Sequence, residues 1–170
     1  MPGRNPRKQT QRVALCGILL ALMLVLGLVE SMIPVAAGIP GIKLGLSNGV
    51  LIFAVYMLDI PTAFTLMALK VTLASMMYAG FGAFPYALAG GVLSVTAMAL
   101  FSRVRGMHPV TVSMVGGVMH NVGQVVMAMV MLQTSRLLYY LAVLMLAGLV
   151  TGALTGICAH LVMKHLKHIG

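Results

Sequence analysis

The chain has 170 residues, 61% of them hydrophobic and only 8% charged, with a formal net charge of +9. So little polar surface cannot coat a soluble globule, and at about 20 apolar residues per span the length allows about six helices and no soluble domain besides. The cations sit in short clusters beside apolar runs, as topology signals do, which argues against nucleic-acid binding; no Gly-x-x-x-x-Gly-Lys-Ser/Thr phosphate loop occurs, so energy must come from another chain or a gradient.

Residues 1–12 form a basic tail with Arg4, Arg7, Lys8 and Arg12 among Pro, Gly, Gln and Asn. The apolar run from Val13 to Val29 follows. It resembles a signal peptide, with Val35-Ala36-Ala37 as a cleavage site, but the run exceeds the usual apolar core and Glu30 intervenes, so it is expected to be retained as the first helix. Next comes Gly38-Ile39-Pro40-Gly41-Ile42-Lys43-Leu44-Gly45-Leu46-Ser47-Asn48, whose prolines and glycines prevent a continuous helix. Such backbone is tolerated in hydrocarbon only where protein or water satisfies it, so the segment reads as a lid or wall of a pocket.

The second helix is predicted from Leu44 to Leu58, and Asp59-Ile60-Pro61 turns into a third from Pro61 to Tyr78. Ala79-Gly80-Phe81-Gly82-Ala83 breaks it. The fourth helix then runs from Phe84 to Ser102, the fifth from Pro109 to Leu132, and the sixth from Leu137 to His165, making a six-helix transmembrane domain over 13–166 with a short tail at 167–170. The expected fold is therefore an all-α integral membrane protein. Lys and Arg concentrate on the side of the termini and of the Arg103–Arg105 loop, leaving Lys43 and Arg136 on the other, so both termini are expected in the cytoplasm. Cys16 and Cys158 lie inside apolar runs and read as packing thiols; the methionines are dispersed as core or lipid-facing filler. His165 and His168, hemmed by Lys164 and Lys167, make a poor metal site, and no metal or cofactor is implied.

Ionisable side chains in hydrocarbon cost at least about 2.5 kcal/mol each, which makes every one a candidate for function. Glu30 lies near the outer end of the first helix and Lys70 near mid-membrane in the third. His120, Asn121 and Gln124 are expected to share one face of the fifth. With Lys43, Asn48, Tyr78, Tyr86, Arg136, Tyr139 and Tyr140 they occupy the central and outer levels, suggesting a pocket that opens outward. The cations Lys43, Lys70 and Arg136 outnumber its acid, which points to an anionic ligand. Blander readings stand beside these: Glu30 and Lys70 as a structural ion pair, His120, Asn121 and Gln124 as interhelical glue, and Lys43 and Arg136 as interface anchors. Gly17 and Ala21 form a small-x-x-x-small pair that points away from Glu30, a surface on which a membrane subunit can dock if lipid or another helix does not cover it. Gly148, Gly152 and Gly156 mark a second close approach.

The stretches Pro40-Gly41-Ile42-Lys43-Leu44-Gly45-Leu46-Ser47-Asn48, Gly116-Gly117-Val118-Met119-His120-Asn121-Val122-Gly123-Gln124 and Leu138-Tyr139-Tyr140 resemble the Gx transporter family, also labelled heptaprenyl diphosphate synthase component I. The resemblance implies a bundle similar to the S components of energy-coupling-factor transporters, with an outward pocket under the loop between the first two helices. It also implies a transmembrane coupling subunit with ATPases as partner, met there by Ala-x-x-x-Ala; here Gly17-x-x-x-Ala21 stands in. A prenyl synthase needs magnesium on aspartate-rich motifs, whereas this chain holds two acids in all. The expectation is thus a non-enzymatic subunit capturing a small, anionic solute, with Glu30, Lys43, Asn48, Lys70, His120, Asn121 and Gln124 at the ligand. The competing expectation is a membrane subunit of a quinone- or flavin-linked electron-transfer or prenyl-quinone system, which would hold a diffusible carrier, since no haem-attachment or iron-sulfur cysteine pattern occurs.

Overall fold

The starts of two helices are fixed by a side-chain cap. The computed structural model describes residues 6–32 and 45–169, which are helical apart from short turns and contain no strand. α1 (Pro6–Ser31) continues through the whole first apolar run. α3 (Ile60–Ala74) begins where the Asp59 side chain accepts the Thr62 backbone N–H at 2.8 Å, with Pro61 in the first turn where its missing N–H is harmless. α5 (Pro109–Leu132) repeats the device with His108 as cap and Pro109 as its first residue, and ends where Gln133 turns left-handed. α4 (Phe84–Phe101) carries Pro85 in its first turn, and α6 (Leu138–Ile169) closes the chain.

Among the described residues, five helical stretches are long and apolar enough to cross a membrane. α2 (Asn48–Met57) is shorter than its predicted span, and its ten residues rise only about 15 Å. It nevertheless sits at the centre, buried along Asn48–Ala54 and touching every other long helix. A helix that is apolar all round suits such a position. Gly49 lies directly against Thr155 of α6, and Leu51 and Ile52 join Met23, Leu66, Met67, Val95, Met98, Val112 and Met163 in one core drawn from all six helices.

Two contacts fix which ends of the helices lie together. Arg12 bonds the carboxylate of Asp59 and donates to the Thr62 hydroxyl at 2.7 Å, so the α2–α3 turn sits beside the start of α1. His108 stacks on His160 with ring centroids 4.4 Å apart, pairing the start of α5 with the last third of α6. Glu30, nearly five turns along α1 from Arg12, therefore marks the opposite end.

The third helix does not run uniformly to Tyr78. Ser75–Ala79 forms a π-helical turn, followed by Gly80 at φ +77° and a 3-10 turn at Phe81–Ala83. Such wide turns are rare in helices and concentrate near functional sites. The small residues of α6 meet α5: a side chain at Gly148 would strike the Gly117 carbonyl, and one at Gly152 the Ser113 carbonyl, each 2.6 to 2.7 Å away. The second close approach read from the sequence is thus a seam within the chain. Gly17 has nothing within 4 Å of where its side chain would be, and Ala21 is exposed on the same face of α1.

Candidate functional site

Toward the end opposite the termini, a small hollow lies between α1, the end of α3, the start of α4 and the middle of α5. Glu30, Lys70, Ser75, His120 and Gln124 supply its polar lining; Val71, Ala74, Ala79, Ala83 and Ala87 supply the apolar wall. Its free volume is about 20 Å³, enough for about one water. All four of the larger polar side chains are withdrawn from the surface, with exposures of 2% for Glu30, 8% for Lys70, 3% for His120 and 1% for Gln124.

Each wall is placed by a close backbone approach. On α1, Leu19, Met23, Gly27 and Glu30 follow one another at helical spacing and form the buried stripe. Gly27 leaves room for the hydroxyl of Tyr78, which donates to the Leu24 carbonyl at 3.2 Å, and the Lys70 Cε lies 3.7 Å from where a Gly27 side chain would start. Tyr78 belongs to the π turn, so that irregularity is what brings α3 onto α1 at this level. Across the hollow, Gly90 of α4 would place a Cβ 2.7 Å from the His120 carbonyl, 2.9 Å from its Nδ1 and 2.8 Å from Gln124 Cγ. Only glycine allows α5 so close.

The Glu30 carboxylate accepts the backbone N–H of Gly45. Gly45 has φ +84°, a region costly for any residue with a Cβ. A Cβ there would also lie 2.9 Å from Asn48 Nδ2 and 3.1 Å from His120 Cδ2. The chain entering α2 is therefore held against both walls at once. Among the described residues, buried Asn48 beside this junction has no partner for its Nδ2, and neighbouring Ser47 has none for its hydroxyl. Buried donors without partners are uncommon and costly.

The sequence-predicted residues divide accordingly. Glu30, Lys70, His120 and Gln124 come together on the hollow, and Asn48 lies at its edge. Lys43 lies outside the described residues. Asn121 does not line the hollow with His120 and Gln124: it points about 100 degrees from His120 and is engaged elsewhere. Its Nδ2 donates to the Leu144 carbonyl at 2.5 Å, across the α5–α6 seam. Arg136 is exposed, as are Tyr140 and Tyr139, the latter at 85%, so they do not line the hollow; Tyr86 is buried instead in a separate cluster with Val125, Ala128, Leu137 and Leu144. Gly17 and Ala21 face away from Glu30, as helical geometry dictates once Glu30 turns inward.

The sequence reading passed over Gly27, Ser75 and the close-packing role of Gly45. Gly27 was accessible, since it stands one turn before Glu30 on the same stripe. Nothing in the composition of Ser75–Ala79 announces a π turn, so the seat of Tyr78 on α1 was not.

The two acids of the chain sit at opposite ends of the bundle. Glu30 is buried in the hollow, whereas Asp59 lies on the surface beside Arg12 and Thr62. Hydrogen bonds from the Thr62 hydroxyl and backbone, with a smaller contribution from Arg12, hold the Asp59 carboxyl below its ordinary pKa. No pair of carboxylates is available to hold magnesium for a diphosphate.

No curated protein and no solved structure matches the chain. The family model described as heptaprenyl diphosphate synthase component I matches residues 19–162, a span that takes in every wall of the hollow. With its apolar bundle and that match, the chain belongs to the heptaprenyl diphosphate synthase component I family, the Gx transporter family, and is a multi-pass membrane protein of the S-component-like type.

Proposed function

We propose that this protein is a substrate-capturing membrane subunit for uptake of a small charged solute, without catalytic activity of its own and energised by a separate coupling subunit with ATPases. The observation that carries the proposal is the convergence of Glu30, Lys70, His120 and Gln124, from three helices, on one hollow that faces the end opposite the termini. A bundle needing only to hold together gains about 0.6 kcal/mol from an interhelical hydrogen bond, far less than the cost of an ammonium and a carboxylate in hydrocarbon. Function accounts for that expense better than glue does. With the cationic termini in the cytoplasm, the hollow lies toward the outer face. The exposed Gly17 and Ala21 surface of α1 is the docking face of the coupling subunit.

Transport of the captured solute into cells tests the reading. Lys70→Met abolishes uptake, and so does the double variant Glu30→Gln with Lys70→Met, which leaves no charge stranded and separates loss of binding from loss of folding. Undiminished uptake by the well-folded double variant would remove the pocket from the account.

A further inference from the structure

The end of the bundle that holds the termini carries cations which no acid of this chain meets. Arg103 and Arg105 on the α4–α5 loop and Lys164 and His165 on α6 are all exposed there. The sequence holds only two acidic side chains: Glu30 is buried toward the opposite end, and Asp59 is bound to Arg12. The residues outside the described set add no acidic side chain, so they cannot lower the excess. Any carboxylate or phosphate that these side chains meet therefore belongs to another molecule.

Their depth says which anions lie within reach. α6 has 32 residues and runs about 48 Å at the helical rise, against about 30 Å of hydrocarbon. Exposed Tyr139 and Tyr140 in its first turn mark one membrane–water boundary, where such amphipathic rings settle. About 20 residues further on, near Cys158, the helix leaves the hydrocarbon, and His160 and Lys164 fall in the next two turns, at the level of the headgroups. The loop is fixed at that same level, because His108 stacks on His160 with ring centroids 4.4 Å apart and follows Arg105 across the turn at Gly106 (φ +86°). Lys164 stands one helical turn past His160. His108 accepts the Val110 N–H on Nδ1 at 3.3 Å, so in its neutral form the Nε2 carries the proton and is a donor.

The neighbouring face of α6 is apolar. Leu154, Ile157 and Leu161 are exposed at helical spacing and lead from the hydrocarbon up to a shallow depression, where Lys164 and His165 join Leu161, Val162 and Leu166. An apolar stripe ending in cations at headgroup depth matches an amphiphile with an acidic head.

We propose that the α4–α5 loop and the end of α6 form a site for an anionic phospholipid of the adjoining leaflet, its acyl chain along Leu154, Ile157 and Leu161 and its headgroup phosphate between Arg105 and Lys164, with the His108 Nε2–H as a further donor. Arg103 adds positive charge at the rim. A zwitterionic lipid brings its own cation to the same place, so the site selects by net headgroup charge. It is remote from the hollow and stands whether or not the hollow captures a solute.

The test uses the full-length protein, delipidated in mild detergent and titrated with dioleoyl phosphatidylglycerol or dioleoyl phosphatidylcholine. Native mass spectrometry counts the retained lipid and thermal melting reads its stabilising effect. The anionic lipid is expected to be retained at a concentration at least about tenfold lower than the zwitterionic one. Arg105→Gln and Lys164→Gln are each expected to cut that preference by about fivefold, and together to abolish it, since each Lys or Arg near the surface contributes about that factor. Both side chains are exposed, and the preference is a ratio of two lipids, which a change in folding alone does not move. Arg4→Gln with Lys8→Gln removes the same charge from the basic tail and is expected to leave the preference in place. Inorganic phosphate is expected to give no melting shift. Equal retention of the two lipids overturns the site, as does equal loss of preference in the two double variants, which would mean a diffuse positive face. A melting shift with inorganic phosphate as large as that with the anionic lipid overturns the lipid as its occupant.

Discussion

Where α5 meets α6, Gly117, Gly148, Gly152 and Gly156 let two backbones come into direct contact, and Asn121 ties the helices further through the Leu144 carbonyl. Where α1 meets the bundle, the contact is a single stripe of Leu19, Met23, Gly27 and Glu30, resting chiefly on α3. The seam is held by dispersion between surfaces that no side chain separates, the strongest association available when lipid removes the hydrophobic drive between helices. The α1 side is held by a narrower stripe, apolar at Leu19 and Met23 and polar at Glu30 beside the hollow. The difference teaches how unevenly the site is walled. Three helices, α4, α5 and α6, form its densely packed side, and α1 with the chain entering α2 forms the side with the sparser packing.

The largest effects are expected where charge is removed from the weaker side. Lys70→Met strands the Glu30 carboxylate in a buried site and lowers stability by about 3 kcal/mol, as breaking a buried pair does. Adding Glu30→Gln recovers most of it, while ligand retention stays lost in both. Unfolding in detergent micelles measures the first, native mass spectrometry the second. If the double variant were no more stable than Lys70→Met, the two groups would not share one electrostatic environment.

On the stronger side, Gly148→Leu forces a side chain into the Gly117 carbonyl and is expected to cost about 2 to 3 kcal/mol, the upper range for overpacking. Gly17→Leu, with open space around it, changes folded stability by less than about 0.5 kcal/mol yet impairs association with a coupling subunit. The pair contrasts two glycines with similar sequence surroundings. Equal destabilisation by both would erase the distinction between the seam and the outer face.

Smaller effects sharpen the boundary of the site. Asn121→Ala removes one interhelical hydrogen bond worth about 0.6 kcal/mol and is expected to leave ligand retention intact, because Asn121 faces α6. A loss of retention would return it to the hollow. Asp59→Asn should matter least. Its depressed pKa means that its contribution is present above the ordinary carboxylate value and fades as pH falls through the lowered one. The variant is therefore expected to melt slightly below the wild type at pH 7, by no more than about 1 kcal/mol for an exposed pair, and to match it once acid has protonated Asp59.

Much of this architecture was legible in the residues. Long apolar runs gave the membrane class, and Pro61, Pro85 and Pro109 marked three helix starts, because proline is tolerated there and almost nowhere else in a helix. Glu30 and Lys70 identified themselves by being ionisable in apolar surroundings. What stayed hidden depended on angles and on neighbours. His120 and Asn121 are adjacent in sequence but serve α4 and α6 respectively, and spacing alone, which puts Asn121 within one turn of Gln124, did not show that its amide would be taken by the Leu144 carbonyl. Arg136 looked like a pocket cation because its level along the membrane was readable whereas its direction was not. Gly90 and Gly148 gave no sign of which backbone each would meet.

An experimental structure of the protein with its retained solute bears on the central claim most directly. The account places density for the solute between Lys70 and His120, in contact with Glu30 and Gln124, with the hollow widened by a shift of α1 and Gly45 while the α5–α6 seam is unmoved. Solute density elsewhere on the bundle, with those four side chains still closed around space for a single water, would contradict it.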